Sequence, residues 1–206
     1  MKGFTMALRR ILTAEDPALH KVCRPVTKFD DKLGTLLDDM AETVVDANGV
    51  GLAAPQIGIL RRIVVIDLGE EIVELVNPEI VETSGEQDGM EGCLSVPGEY
   101  WMVKRPNYAK VRAQDRNGEW FELEGEELIA RCICHECDHL DGHLYTEIAY
   151  RKLTDEEIEA EYERAAKMYG MDAESLKNYI TKEAVADEVK RDKAVKLITE
   201  SAIAAG

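Results

Sequence analysis

The sequence predicts an α+β domain followed by a C-terminal α-helical extension. Three observations carry this. Between about residues 60 and 126, β-branched runs alternate with turn residues, as strands and hairpins do. Two segments, around residues 31–48 and 126–142, instead carry apolar residues at helical spacing. The final 50 or so residues are charged, rich in Ala, Glu and Lys, and free of proline.

In "FDDKLGTLLDDMAETVVDANGVG", Leu33, Leu36, Leu37, Met40, Val44 and Ala47 mark the first helix, and Asn48-Gly49 supplies its stop. A glycine-bounded loop, "GVGLAAPQIG", follows. It has no P-loop lysine, so its use is close backbone approach to a ligand, with Gln56 offering an amide donor. "RRIVVIDL" and "EIVELVNPEIVET" read as strands, the second broken at Asn77-Pro78. Cys93 stands between a glycine and a short strand-like run. "YAKVRAQDRNGEWFELEG" is a hairpin with Asn117-Gly118 in its turn. "EELIARCICHECDHL" is helical, and Asp141-Gly142 ends it. Beyond a boundary near Tyr150 to Thr154, Thr154 and Glu157 form a capping box. Ile158, Tyr162, Ala165 and Tyr169 make one stripe closed by Gly170. Leu176 with Ile180 make a second, and Val185, Val189, Ala194, Leu197 and Ile198 a third. The chain thus divides into residues 1–150 and a helical extension, 151–206.

Bulk properties narrow the function. At 206 residues the chain holds one sizeable domain with an appendage. A net charge of −16 argues against nucleic-acid or anionic-membrane binding through a basic surface. The tail holds only 13 of the 41 acidic residues against 10 of the 25 basic ones, so the excess acid lies in the body. The start lacks the apolar run of a signal peptide, and no stretch approaches the roughly 20 apolar residues of a membrane span. Five cysteines, three of them within one helix, read as reduced thiols in a cytoplasm.

The chemistry concentrates in "RCICHECDHLDG". His135 and His139 lie four apart on one helix face and can grip one ion, while Glu136 beside them can handle protons. The same stripe, Leu128, Cys132, His135, His139, also fits an ordinary helix whose histidines are hydrogen-bonded in the core. Two histidines leave an open tetrahedral site one ligand short. The H-E-x-x-H-x-x-G-x-x-H pattern of one peptidase class fails because Tyr145 stands where its third histidine belongs. Cys132, Cys134 and Cys137 point to different sides of a helix, which suits small buried filler better than a zinc knuckle.

Three stretches taken together, "GVGLAAPQ", "EGCLS" and "HECDH", resemble the hallmarks of the peptide deformylase family, in the family's order. The likeness runs over roughly residues 6–150 and includes "ALRRILTAEDPALHKVCRPVTKFD". It implies antiparallel sheets around a central HExxH helix. It also implies an enzyme that removes formyl from formyl-methionyl nascent peptides and releases formate. Cys93, His135 and His139 would then bind one divalent metal, physiologically Fe2+, with Zn2+, Ni2+ or Co2+ able to replace it. Glu136 would carry the proton, and the Gln56 amide with the Leu94 backbone N–H would hold the oxyanion. Gly49, Val50 and Gly51 would pair with the substrate backbone. Glu91, Gly92, Arg131 and Cys132 would line the substrate pocket, with Glu91 and Asp138 supporting the metal ligands rather than joining them.

The chain departs from this pattern at three places. Arg131 stands where the family usually has an aliphatic residue near the methionine pocket. Such an arginine can snorkel outwards, pair with an acidic neighbour, or narrow the pocket. Gly89 replaces a residue that is often bulky and apolar, and Tyr100 occupies a commonly basic position. The tail, over residues 154–203, is similar to the C-terminal helical arm of trigger factor, a ribosome-associated chaperone. That likeness implies contact with the ribosome or nascent chains; a plain amphipathic helix pair docked on the body or on another subunit fits the same residues. A chaperone-like protein that has lost turnover, and a peptidase with the same metal centre, are the other classes the sequence leaves open.

Overall fold

A computed structural model describes residues 7–69, 71–169 and 172. The second and third tail stripes and Gly170 lie outside the described residues.

The first helix, α1 (Asp31–Asp46), starts where the Asp30 carboxylate accepts the backbone N–H groups of Lys32 and Leu33. It ends at Asn48, which holds the left-handed conformation that Asn tolerates, at φ 50°. Then come β1 (Gly51–Ala53), β2 (Ile63–Asp67), β3 (Ile72–Ser84), β4 (Gln87–Cys93), β5 (Val96–Arg105), β6 (Tyr108–Gln114) and β7 (Trp120–Glu126). Helix α2 (Glu127–Leu140), the two-residue strand β8 (Arg151–Lys152) and helix α3 (Asp155–Tyr169) complete the order.

The strands make two antiparallel sheets, β1-β2-β3-β6-β7 and β4-β5-β8. Strand β2 explains its own apolar run. Ile63 and Val65 belong to a cluster with Leu33, Leu37, Met40 and Val44 of α1. Val64 and Ile66 belong to a second cluster with Ile129, Ala130, Ile133 and Leu140 of α2. A strand covered on both faces has no polar face to show. Helix α2 is similarly enclosed: every residue from Ile129 to Cys137 is buried. That enclosure is why Cys132, Cys134 and Cys137 share one apolar cluster despite their spacing.

The predicted hairpin forms, with the Asp115 carboxylate accepting the N–H groups of Asn117 and Glu119 across its turn. The expected break at Asn77-Pro78 does not occur. Strand β3 continues through it with a shift of register against β6 between Val76 and Glu79. The Asn77 side chain stabilises the irregularity by accepting the Val26 N–H at 2.7 Å and donating to the Val26 carbonyl at 2.9 Å. Part of the glycine-bounded loop is itself strand β1, on the edge of the larger sheet.

Near the expected boundary the chain is still tied to the body. Strand β8 pairs with β5, and Leu153 is buried. The Thr154–Glu157 box is present: the Glu157 carboxylate accepts the Thr154 N–H at 2.9 Å, and the Thr154 hydroxyl accepts the Glu157 N–H at 3.3 Å. Among the described residues no helix is long and apolar enough to cross a membrane.

Candidate active site and metal centre

Helix α2, the β4–β5 hairpin and the segment entering β1 converge on a cavity of about 480 Å3. Its lining holds Gly49, Val50, Gly51, Gln56, Glu91, Gly92, Cys93, Leu94, Arg131, Cys132, His135 and Glu136. Those are all the sequence-predicted site residues but His139, which lies behind the lining with Nε2 3.2 Å from Cys93 Sγ. The donor atoms of Cys93, His135 and His139 all fall within 4.8 Å of one another. Among the described residues this is the one such group.

The β4–β5 hairpin fixes these atoms through a buried ionic network. Glu91 Oε1 stands 2.7 Å from His135 Nδ1, which leaves Nε2 as the ring nitrogen available to an ion. Arg105 donates to both Glu91 oxygens, at 3.1 and 2.8 Å, and to Asp138 at 2.6 Å. Arg131 donates to Glu91 Oε2 at 2.7 Å and to the Val103 carbonyl. Of the outcomes open to Arg131, pairing with an acidic neighbour is the one observed. Gly89 makes room for it, since a Cβ there would come within 3.2 Å of Arg131 Nη2.

Electrostatics at the site diverge within one helical turn. Burial pushes the Glu91 carboxyl up, but hydrogen bonds and charge from His135 and Arg105 outweigh it and hold Glu91 well below the usual carboxylate range. Burial also opposes charge on His135, yet its hydrogen bonds to Cys93 and Glu91 prevail and push it well up. His139 goes well down, through burial and then the His135 charge. Glu136 receives no comparable support. Burial pushes it up to about 7 against the attraction of His135, and its Oε2 is buried with no partner among the described residues. Burial likewise pushes Cys134 up to about 11 and Cys137 up to about 12, and Cys132 well above the ordinary thiol value. These three are inert filler, and all five cysteines are free.

Opposite α2, the Gln56 carbonyl oxygen accepts the Ala53 N–H at 2.8 Å, which turns its amide nitrogen towards Ser95 Oγ (3.2 Å) and Cys93 Sγ (3.6 Å). Gly51 sits so close to α2 that a Cβ would meet Glu136 Oε1 at 2.6 Å and Cys132 Sγ at 2.8 Å. One thiol and two imidazoles are a donor set that a divalent transition metal fits, with the second nitrogen of His135 already oriented. Sequence reasoning missed Arg105, Ser95 and the pocket-lining Tyr162. Ser95 lies inside the "EGCLS" motif and was findable there. Arg105 is visible only once the hairpin register is known.

Residues 8–154 match the family model described as polypeptide deformylase, and residues 151–200 match that of the bacterial trigger factor C-terminus. A peptide deformylase of Agathobacter rectalis is 63% identical over 142 residues, which cover 69% of this chain and 90% of that one. The crystal structure of Thermotoga maritima peptide deformylase matches with a TM-score of 0.68 at 41% identity, covering 70% of this chain and 99% of that one. A class I type b peptide deformylase of Acinetobacter baumannii, bound to Met-Ala-Ser, matches with a TM-score of 0.66 at 33% identity, covering 70% and 99%.

Proposed function

The chain belongs to the peptide deformylase family, metallohydrolases that remove the N-formyl group from nascent polypeptides, and from that premise we propose which residues carry the reaction. The supporting observation is one cavity whose lining brings Cys93 and His135, with His139 directly behind them, to an unpartnered Glu136 Oε2 and the oriented amide of Gln56.

Cys93, His135 and His139 hold one divalent ion, which when bound supplies a Lewis acid and lowers the pKa of water. We assign Fe2+ as the physiological ion from the family resemblance; the donors also suit Zn2+, Ni2+ or Co2+. Glu136 takes the proton of the attacking water on Oε2 and delivers it to the leaving α-amine. In the metal-free protein burial raises its carboxyl to about 7, the direction that suits a group taking and returning a proton near neutral pH. The Gln56 amide nitrogen and the Leu94 backbone N–H hold the developing oxyanion. Leu94 is kept in place by its side chain, which packs so near Gly49 that a Cβ there would lie 2.7 Å from it. Water and the formyl amide become formate and a free amine.

Among the described residues strand β1 pairs with β2 on one side only, which leaves its other edge for an added peptide strand. Gly49, Val50 and Gly51 line the cavity at that edge, and the Acinetobacter relative's tripeptide is the class of ligand we place there. The first side chain enters the part lined by Arg131 and Cys132. The catalytic domain is residues 1–150; the extension, 151–206, directs the enzyme to the ribosome or its nascent chain, as the trigger factor match supports. Free thiols and this substrate support a cytoplasmic setting for the reaction.

The test is formate release from formyl-Met-Ala-Ser by protein loaded with Fe2+ without oxygen. Wild type turns over and Glu136→Ala does not; stoichiometric metal without turnover would contradict the assignment.

A further inference from the structure

The cavity lining has two chemically different parts. Leu128, Arg131 and Cys132 of α2 form one, beside Gly89. Tyr100 of β5 and Tyr162 of α3 contribute to the other. The Tyr100 ring packs against Gly92, where a Cβ would meet it at 2.7 Å. Tyr162 is half-buried and shares a side-chain hydrogen bond with Tyr100. Three further features hold α3 in register with Tyr100. The Leu153 N–H donates to the Tyr100 carbonyl at 2.9 Å, β8 pairs with Trp101 and Met102, and Ala166, one turn beyond Tyr162, is buried. The helix matched to the trigger factor C-terminus therefore reaches the catalytic cavity itself.

We propose that Tyr162 completes, with Tyr100, an aromatic subsite for the substrate residue that follows the formylated one, so that the extension selects bulky apolar side chains at that position. The inference rests on the catalytic assignment above. With the formyl group at Glu136 and the first side chain against Arg131 and Cys132, the tyrosine pair is the aromatic part of the lining that remains, next to Val96, Pro97 and Glu99. An aromatic pair offers an apolar face for stacking and two hydroxyls at its rim. Tyr162 is a specificity-determining residue and does not touch the reacting atoms.

The experiment compares formyl-Met-Phe-Ser with formyl-Met-Gly-Ser on the full-length, metal-loaded enzyme. Wild type favours the phenylalanine peptide by about threefold to tenfold in kcat/KM, mainly through KM, the range an aromatic contact supports. Tyr162→Ala brings that ratio close to one, and Tyr162→Phe keeps it. Loss of fold would lower both rates and leave the ratio standing, so the ratio is the readout. A second measurement does not depend on variants at Tyr162. A formyl-Met peptide carrying a benzoylphenylalanine at its second position is photolysed on Glu136→Ala protein, and label is expected within residues 155–169. An unchanged ratio in Tyr162→Ala, a wild-type ratio of one, or label confined to the body would each overturn the proposal. Absence of formate from both peptides would instead overturn the catalytic assignment.

Discussion

On its sheet side, helix α2 presents Ile129, Ala130, Ile133 and Leu140 to Val64, Ile66 and Val111, all in one apolar cluster. On its hairpin side it presents Arg131, His135 and Asp138 to Glu91, Arg105 and the Val103 carbonyl. The first contact is non-directional and grows with buried area. The second is made of charge-assisted hydrogen bonds that work only at set distances and angles. The difference separates two tasks: apolar packing keeps the helix folded in place, and the ionic network fixes how the His135 ring is turned and which of its nitrogens stays free. Glu136 lies between these arrangements and joins neither, so burial raises its carboxyl, as suits the proton-transfer role proposed for it.

This contrast can be broken in order of effect. The largest change is expected at Glu136. Glu136→Gln lowers kcat for a formyl-Met peptide by about 100- to 10,000-fold, while the thermal midpoint does not fall, because a buried carboxyl whose Oε2 has no partner among the described residues is replaced by a neutral amide. Second comes Glu91→Ala, which strands Arg105 and Arg131 beside an untethered His135. Removing one partner from a buried ion pair costs about 3–5 kcal/mol. Lost support for a metal-ligating histidine adds about a 10- to 100-fold loss of metal affinity. Denaturant unfolding and a metal titration read the two effects separately. Third, Ile133→Ala costs about 2–5 kcal/mol of stability through its cavity, and the protein that remains folded binds metal as wild type does. Equal losses of metal affinity in Glu91→Ala and Ile133→Ala would remove the distinction between the two faces.

The fourth effect depends on pH. Glu91 is held below its unfolded value of about 4.3, so its contribution is fully present above that pH and fades as the pH falls towards the folded value. In the metal-free protein, the stability gap between wild type and Glu91→Gln closes in acid as Glu91 is protonated. It also narrows above about pH 6.5 as His135, raised against its burial by bonds to Cys93 and Glu91, loses its proton. Unfolding midpoints taken across that range check the sign. The smallest effect belongs to Asp138. Its side chain is 35% exposed, so solvent screens its bond to Arg105. Asp138→Asn is expected to cost less than about 1 kcal/mol, provided Arg105 keeps Glu91.

What could be read from the sequence follows the same division. Helix α1, the hairpin turn at Asn117-Gly118 and the α2 stop at Gly142 are local events, set by caps, turns and periodicity, and they were legible. So was the gathering of Gln56, Cys93, His135, Glu136 and His139, through three short motifs. Strand β3 was misread because Asn77-Pro78 is a break signal. The bonds from Asn77 to Val26 that override it span 51 residues. The β4–β5 hairpin was under-read because Gly89, Gly92 and Gly98 dilute its strand signal. The first two of these glycines are small to admit Arg131 and Tyr100, neighbours that only the folded chain supplies. Arg105 stayed hidden for the same reason, and Tyr162 read as one member of an amphipathic stripe until the fold carried it to the cavity.

The central claim is that Cys93, and none of the α2 cysteines, completes the metal centre. Titrating the metal-free protein with Co2+ under anaerobic conditions and recording the visible and near-ultraviolet spectrum tests it directly. One equivalent is expected to give a tetrahedral spectrum with a thiolate charge-transfer band. That band disappears in Cys93→Ser and survives in Cys132→Ser, Cys134→Ser and Cys137→Ser. A band that persists without Cys93, or vanishes with any of the other three, would contradict the account.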